Sequence, residues 1–201
     1  MYFKKLLGER CYLSPLNLQD CEIYTKWIND IDVSLGVTFV SVLMTPEQEK
    51  EILEKLSRVE YNFAIVELNK DELIGNIGFT HIDFINHTAE MGIFIGNKDY
   101  WGKGYGAEAI ELLLDFGFNI LNLHNINLKV YSYNKPAIKC YQEVGFKEVG
   151  RLREAKQIAG QKFDQIIMDI LEKEYKSKLI KGLVDKRNQE NKKWRNAFSP
   201  I

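Results

Sequence analysis

At 201 residues the chain suits one domain with a tail, and its 45% hydrophobic and 12% aromatic content excludes intrinsic disorder. Charge is balanced, 27 Lys and Arg against 28 Asp and Glu, which excludes a global field for nucleic acid or anionic membrane and leaves charged ligands to a local site. Met1–Leu7 lacks the apolar run of a secretory signal, and no segment approaches the roughly 20 apolar residues that span a bilayer.

Three cysteines (Cys11, Cys21, Cys140), widely spaced and odd in number, point to reduced thiols rather than a disulfide framework. The three histidines (His81, His87, His124) have no spacing with cysteines or acids that would build a zinc site. The expectation is a cytoplasmic protein with no metal, no direct nucleic-acid binding and no membrane span.

In chain order, Arg10–Leu16 is short and apolar and reads as a strand ended by Pro15. Asn17 to Asp20 offer caps for a helix running to about Asn29. After a loop rich in β-branched residues, Thr45 is an N-cap, Pro46 fits the first helical position and Gln48 completes a capping box. That helix ends near Arg58. Three strand-like runs follow, Phe63–Glu67, Leu73–Phe79 and Ala89–Ile95, separated by the polar turn Asn69–Glu72 and by Asn86-His87. Ala107–Phe118 has helical spacing, Ile126–Tyr131 reads as a strand, and Lys135–Val144 as a helix stopped by Gly145. Phe146–Arg153 and Asp164–Leu171 are the last strands, with Ala159-Gly160 as a turn between them.

This order predicts an α/β chain with a sheet of mixed direction, not a regular βαβ repeat. Residues 1–171 form the expected domain. From Glu172 onward Lys, Glu, Asn and Gln dominate, with Ile180, Leu183, Val184, Trp194 and Phe198 interspersed. This extension, 172–201, reads as a solvated helix, or as one packed on a partner subunit.

The segment Tyr100-Trp101-Gly102-Lys103-Gly104-Tyr105-Gly106-Ala107-Glu108 leads into an amphipathic helix. Three alternate glycines allow a sharp bend and close approach of a ligand to the backbone. Free N–H groups then converge at a helix N-terminus, a geometry that suits a pyrophosphate, although a turn that merely breaks the chain has the same spacing. The dinucleotide fingerprint is matched only formally, with no acidic residue about 20 positions on at a strand end. A nucleotide-hydrolase loop is absent.

A second segment, Asn134-Lys135-Pro136-Ala137-Ile138-Lys139-Cys140-Tyr141, continues through Val144 to Gly145 and Phe146. Asn134 can cap the helix, and Tyr141 lies about two turns along it. Together with Ala89–Ile95, the two segments resemble the GNAT superfamily of N-acetyltransferases. The particular likeness is to the branch holding ribosomal-protein N-terminal acetyltransferases and spermidine acetyltransferases, and it covers roughly Arg10 to Leu171. One departure is Trp101, where the superfamily's pyrophosphate motif usually begins with Gln or Arg, so backbone donors are expected to suffice.

The resemblance implies a mixed, mostly antiparallel sheet with a central splayed parallel pair, Glu90–Ile95 and Ile126–Tyr131, flanked by helices on both faces. It implies acetyl-CoA as co-substrate, with pantetheine bonded near Phe94 and Ile95. The pyrophosphate would lie on Trp101, Gly102, Lys103, Gly104, Tyr105, Gly106 and Ala107, and Asn134, Ala137 and Tyr141 would sit near the thioester. An amine attacks the thioester directly, so no Ser or Cys nucleophile is required. Tyr141 would protonate the departing thiolate; otherwise it is an aromatic packed beside Phe146. Glu90 is the expected base, acting through water, or else a solvated edge carboxylate.

The acceptor pocket is expected from the first two helices and the loop between them, together with the Lys156–Lys162 hairpin. Asp30 and Asp32 can hold a polyamine such as spermidine, or can face solvent. Trp27, Phe39, Phe79 and His81 can line a pocket for that amine, a protein N-terminus or an amino sugar. A non-catalytic CoA-binding module and a homodimer are also open at this point.

Overall fold

The computed structural model describes residues 1–37, 40–58, 61–177 and 179–197, with side chains described through residue 191. Phe39, Phe198 and the Trp194 side chain, all singled out above, lie outside that description. Among the described residues the strands are β1 (Leu6–Leu7), β2 (Cys11–Pro15), β3 (Asn62–Glu67), β4 (Leu73–Asp83), β5 (Thr88–Ile95), β6 (Asn125–Tyr131), β7 (Lys147–Ile158) and β8 (Gln161–Leu171). The helices are α1 (Cys21–Asn29), α2 (Ile31–Leu35), α3 (Pro46–Arg58), α4 (Tyr105–Asn119), α5 (Lys135–Val144) and α6 (Ile180–Ala197). The strands form one sheet in the order β1-β2-β3-β4-β5-β6-β8-β7. Every neighbouring pair is antiparallel except β5 and β6.

Alternation along the strands divides the buried side chains between two faces. Cys11 and Leu13 of β2, with Phe63 and Ile65 of β3, join one core with Ala109, Ile110 and Leu113 of α4 and, at its margin, Ala137 and Ile138 of α5. Tyr12, Ala64 and Val66 turn the other way and meet Tyr24 of α1 and Leu53 of α3. Helices therefore cover both faces, α4 and α5 on one and α1 and α3 on the other.

Local signals placed several boundaries correctly. The capping box forms as its chemistry requires: Gln48 N donates to Thr45 Oγ1 at 3.3 Å, and Thr45 N to Gln48 Oε1 at 3.0 Å. Asn17 caps a single 3-10 turn, Leu18–Asp20, which leads into α1. Asp30 does not simply end α1. Its carboxylate accepts from Asp32 N at 3.0 Å and caps α2, a five-residue helix inside what reads from sequence as loop. The strand β4 runs past Phe79 to Asp83, beyond a bulge where the apolar alternation stops.

One buried acid stands out against the α1–α3 face. Glu49 is 2% exposed and its Oε2 has no hydrogen-bond partner among the described residues. Burial pushes its carboxyl up to about 7. The folded state thus holds this proton more tightly than the unfolded chain, so stability falls as pH rises from about 4.5 through 7. Glu49→Gln is expected to match the wild type near pH 4.5 and to exceed it by on the order of 2 kcal/mol at pH 8. Denaturant unfolding at the two pH values checks this; parallel stability curves would refute it.

The chain beyond β8 returns to α4. Tyr175 Oη donates to Glu111 O at 2.9 Å, and its ring lies 5.5 Å from that of Phe118. Asp115, 1% exposed on α4, accepts from Ser177 Oγ at 2.6 Å, Leu179 N at 2.7 Å and Ile180 N at 3.2 Å. An α4 carboxylate thereby caps the start of α6. Among the described residues, no helix is long and apolar enough to cross a membrane.

Candidate active site

The site is built where a parallel pair stops being a pair. β5 and β6 are in register only from Thr88 to Glu90 against Asn125 to Asn127. Each strand continues on its other side, β5 with β4 up to Ile95 and β6 with β8 up to Tyr131. From Met91 and Leu128 onward the two facing edges are therefore unpaired, which leaves an opening between the strands. Gly96 N donates to Ile74 O at 2.9 Å. Antiparallel alternation then commits the backbone of Phe94 to β4 and turns that of Ile93 and Ile95 toward the opening. Of the two residues named from the sequence, Phe94 and Ile95, only Ile95 turns its backbone toward the opening. Ile95 O accepts from Trp101 Nε1 at 2.8 Å, so Trp101 serves as a brace between strand and turn.

The glycine turn follows at once. Gly102 and Gly104 have φ of 67° and 86°, the left-handed region that side-chain-bearing residues avoid. Gly104 is the N-cap of α4, and Glu108 N→Gly104 O at 3.1 Å is the first bond of the helix. The N–H groups of Tyr105, Gly106 and Ala107 have no helical acceptor and lie at the positive end of the helix dipole. No atom stands within 4 Å of where a Cβ on Gly102 would be, and Lys103 is exposed beside it. The turn is an open cradle for a polyanion. Gly106 lies at the junction of three elements, its Cβ direction meeting Cys140 Sγ of α5 and Ile95 Cγ1 of β5, each at 4.0 Å.

Residues 10–147 match the family model for the acetyltransferase (GNAT) domain. The chain belongs to the GNAT acetyltransferase family. The uncharacterised N-acetyltransferase p20 of Bacillus licheniformis is 30% identical over 175 residues, which is 85% of this chain and 97% of p20. The spermidine N(1)-acetyltransferase of Vibrio cholerae serotype O1 is 38% identical over 116 residues, 58% of this chain and 66% of that enzyme. The crystal structure of Vibrio cholerae spermidine N-acetyltransferase in complex with CoA and spermine superposes with a TM-score of 0.74 at 28% identity, covering 84% of this chain and 99% of that one. The protein is thus an acetyl-CoA-dependent N-acetyltransferase, and the glycine cradle fits the diphosphate of that co-substrate.

Tyr141 of this acetyltransferase is half-buried on the α4–α5 face, its ring 6.1 Å from that of Phe146. Its hydroxyl makes no hydrogen bond among the described residues, and burial raises its pKa above the ordinary phenol range. Asn134 is already engaged: Oδ1 caps α5 by accepting from Ala137 N at 3.2 Å, and Nδ2 donates to Gly36 O at 3.2 Å. Burial pushes the neighbouring Cys140 thiol up to about 11, which removes it as a nucleophile at neutral pH.

On the opposite face Glu90 and His81 are cross-strand partners, with Glu90 ion-paired to Lys129 at 2.7 Å. Trp27 lies flat against the chain just after β5, where a Cβ on Gly96 would fall 2.1 Å from the indole. Its ring packs edge-on against Tyr24 and Phe94 at 5.5 and 6.1 Å. Phe79 is buried in the core on the α4 side and does not reach this pocket. Asp30 and Asp32 are brought together, but by a protein cation: Lys98 Nζ lies 2.6 Å from Asp30 and 3.2 Å from Asp32. At the other end of α2, Tyr133 Oη donates to Leu35 O at 2.8 Å. The short helix is thereby tied to the segments that follow both diverging strands.

Lys98 and Tyr133 were missed from sequence. Each lies in a segment whose local pattern signals only a turn or a strand end. Among the described residues, no group of three or more His, Cys, Asp and Glu could hold a metal.

Proposed function

We propose that the protein acetylates a primary amine by direct attack within a ternary complex, using the opening between β5 and β6 as the reaction chamber. The observation that carries this is the meeting of the unpaired edges with the glycine cradle at Gly106. Bound acetyl-CoA supplies the acetyl thioester. The backbones of Ile93 and Ile95 hold its amide-bearing arm, and the N–H groups from Gly102 to Ala107 hold the diphosphate. Glu90, entering from the α1 side, takes a proton from the amine nitrogen through water as the C–N bond forms. Tyr141, on the α5 side, gives its proton to sulfur as the C–S bond breaks. Burial keeps the phenol protonated at neutral pH, as a proton donor to sulfur must be.

The acceptor we propose is a polyamine. The likeness to Vibrio cholerae spermidine acetyltransferase, in sequence and in structure, supports this, as does a diacid that already holds an alkylammonium, that of Lys98. A polyamine ammonium takes the place of Lys98 on Asp30 and Asp32, while Trp27 flanks the chain. Lys98→Met is then expected to lower KM for spermidine roughly threefold, the scale of an exposed ion pair, with KM for a monoamine unchanged. A raised spermidine KM would remove the diacid from the acceptor site. Residues 1–171 carry the catalytic domain on this reading, and the free cysteines support a reducing, cytoplasmic setting.

Titration calorimetry with CoA tests the chamber, and thiol release with a panel of polyamines, peptides and amino sugars tests the acceptor. Absence of CoA binding by the folded protein would end the proposal. Turnover of peptides alone would end only its polyamine part.

A further inference from the structure

The cradle has an unusual need. With Trp101 bonded to Ile95 O, its ring donor is spent on the protein, and the grip on a diphosphate falls to backbone N–H groups, with the exposed Lys103 beside them. Backbone donors bind well only if the turn already has the bound shape, because ordering it on binding costs conformational entropy. Something must therefore hold residues 97–105 in place.

That holder lies in the turn between β3 and β4. Glu72 accepts from Tyr100 Oη at 2.7 Å through Oε2 and from Asn97 Nδ2 at 2.9 Å through Oε1. Asn97 Oδ1 meanwhile accepts from Asp99 N at 3.1 Å, shaping the 3-10 turn Lys98–Tyr100 that enters the cradle. Tyr100 is 8% exposed, and its ring packs edge-on at 5.0 Å against Tyr105, the first residue of α4. Lys70 Nζ adds a bond to Tyr100 Oη at 3.4 Å. The platform is itself rigid: buried Glu67 accepts from Lys70 N at 2.6 Å and Asn69 N at 3.0 Å, and Glu67 N donates to Glu72 O at 2.8 Å. One carboxylate thus grips the segment at its start and at the residue before Trp101.

We propose that Glu72 is a positioning residue for the co-substrate: by holding Asn97 and Tyr100 it pre-shapes the 97–105 turn and so sets affinity for the diphosphate of CoA. This rests on the reading of that turn given above. Glu72 touches no reacting atom, so its loss acts on donor binding and not on the chemical step.

The test compares Glu72→Ala and Glu72→Gln with the wild type by calorimetry with CoA, alongside turnover of acetyl-CoA and of S-acetylpantetheine, which lacks the diphosphate. Loss of two part-buried hydrogen bonds to a carboxylate predicts a Kd for CoA raised about tenfold in Glu72→Ala, and less in Glu72→Gln, which keeps one acceptor. At saturating acetyl-CoA, kcat is expected to hold within about twofold, since only pre-organisation of the turn is lost. Turnover of S-acetylpantetheine is expected to stay at the wild-type value. Amide hydrogen exchange in the free Glu72→Ala protein is expected to speed up over 101–107 and not over α5. Should Glu72→Ala fail to fold, Glu72→Gln carries the comparison. An unchanged Kd in the folded variants, or an equal loss with both donors, overturns the proposal for Glu72 alone. If the wild type binds no CoA, the reading of the turn falls as well.

Discussion

Tyr141→Phe is expected to lower kcat by about 10²–10⁴-fold, the usual worth of a positioned general acid, while leaving the Kd for CoA within about twofold. The substitution is a clean one here. The hydroxyl makes no hydrogen bond among the described residues, so its removal leaves no buried partner unsatisfied, and the ring keeps its contact with Phe146. The loss should shrink for acetyl thioesters of more acidic thiols, whose sulfur needs less help to leave. Because burial holds the phenol above its ordinary range, the wild-type kcat should show no alkaline fall attributable to Tyr141 up to about pH 10. Full turnover by the Phe variant with acetyl-CoA would assign the acid elsewhere. A proportional loss of CoA binding would make Tyr141 a packing residue.

The parts of this protein that were legible in its sequence are those fixed by local chemistry. Thr45 and Gln48 can satisfy each other's backbone only in a capping box, and they do. Gly102 and Gly104 mark left-handed backbone, and both adopt it. The unbroken apolar run Phe63–Val66 suits a strand buried on both faces, and helices cover both. Where the outcome depends on long-range register, local pattern is silent. No periodicity in β5 tells which of its backbone groups face β4, and the answer keeps Ile95 on the free edge, adds Ile93 and removes Phe94. Asp30 and Asp32 looked available because the cation that meets them, Lys98, is 66 residues beyond Asp32 in sequence. Asn134 carries both a local and a distant partner, Ala137 and Gly36, and only the first can be read from the helix it begins. Glu72 belongs to the same class: a turn residue by composition, a clamp by topology.

The C-terminal extension is the clearest case, and it carries the second large effect. Asp115→Ala is expected to detach residues from about Tyr175 onward, at a cost on the order of 3 kcal/mol in docking free energy. Composition alone leaves this segment a solvated helix or one packed on a partner subunit. Yet a carboxylate 1% exposed on α4 receives Ser177 Oγ and the backbone N–H groups of Leu179 and Ile180, where α6 begins. Those amide groups are orphans of the first helical turn, and an anion there is favoured by both hydrogen bonding and the helix dipole. The same carboxylate accepts from Asn119 Nδ2 at 2.7 Å, so the acid is fixed before the segment arrives. Several charge-assisted bonds are lost together in Asp115→Ala, but the effect is bounded: once the segment is free, the rest of the sheet has nothing more to lose. Limited trypsin digestion should therefore release a C-terminal fragment from the variant by cleavage near Lys176, leaving a folded domain that still binds CoA. Asp115→Asn, which keeps one acceptor oxygen, should lie between the variant and the wild type. If trypsin treats Asp115→Ala and wild type alike, Tyr175 and Ile180 hold the segment by packing, and the cap contributes little.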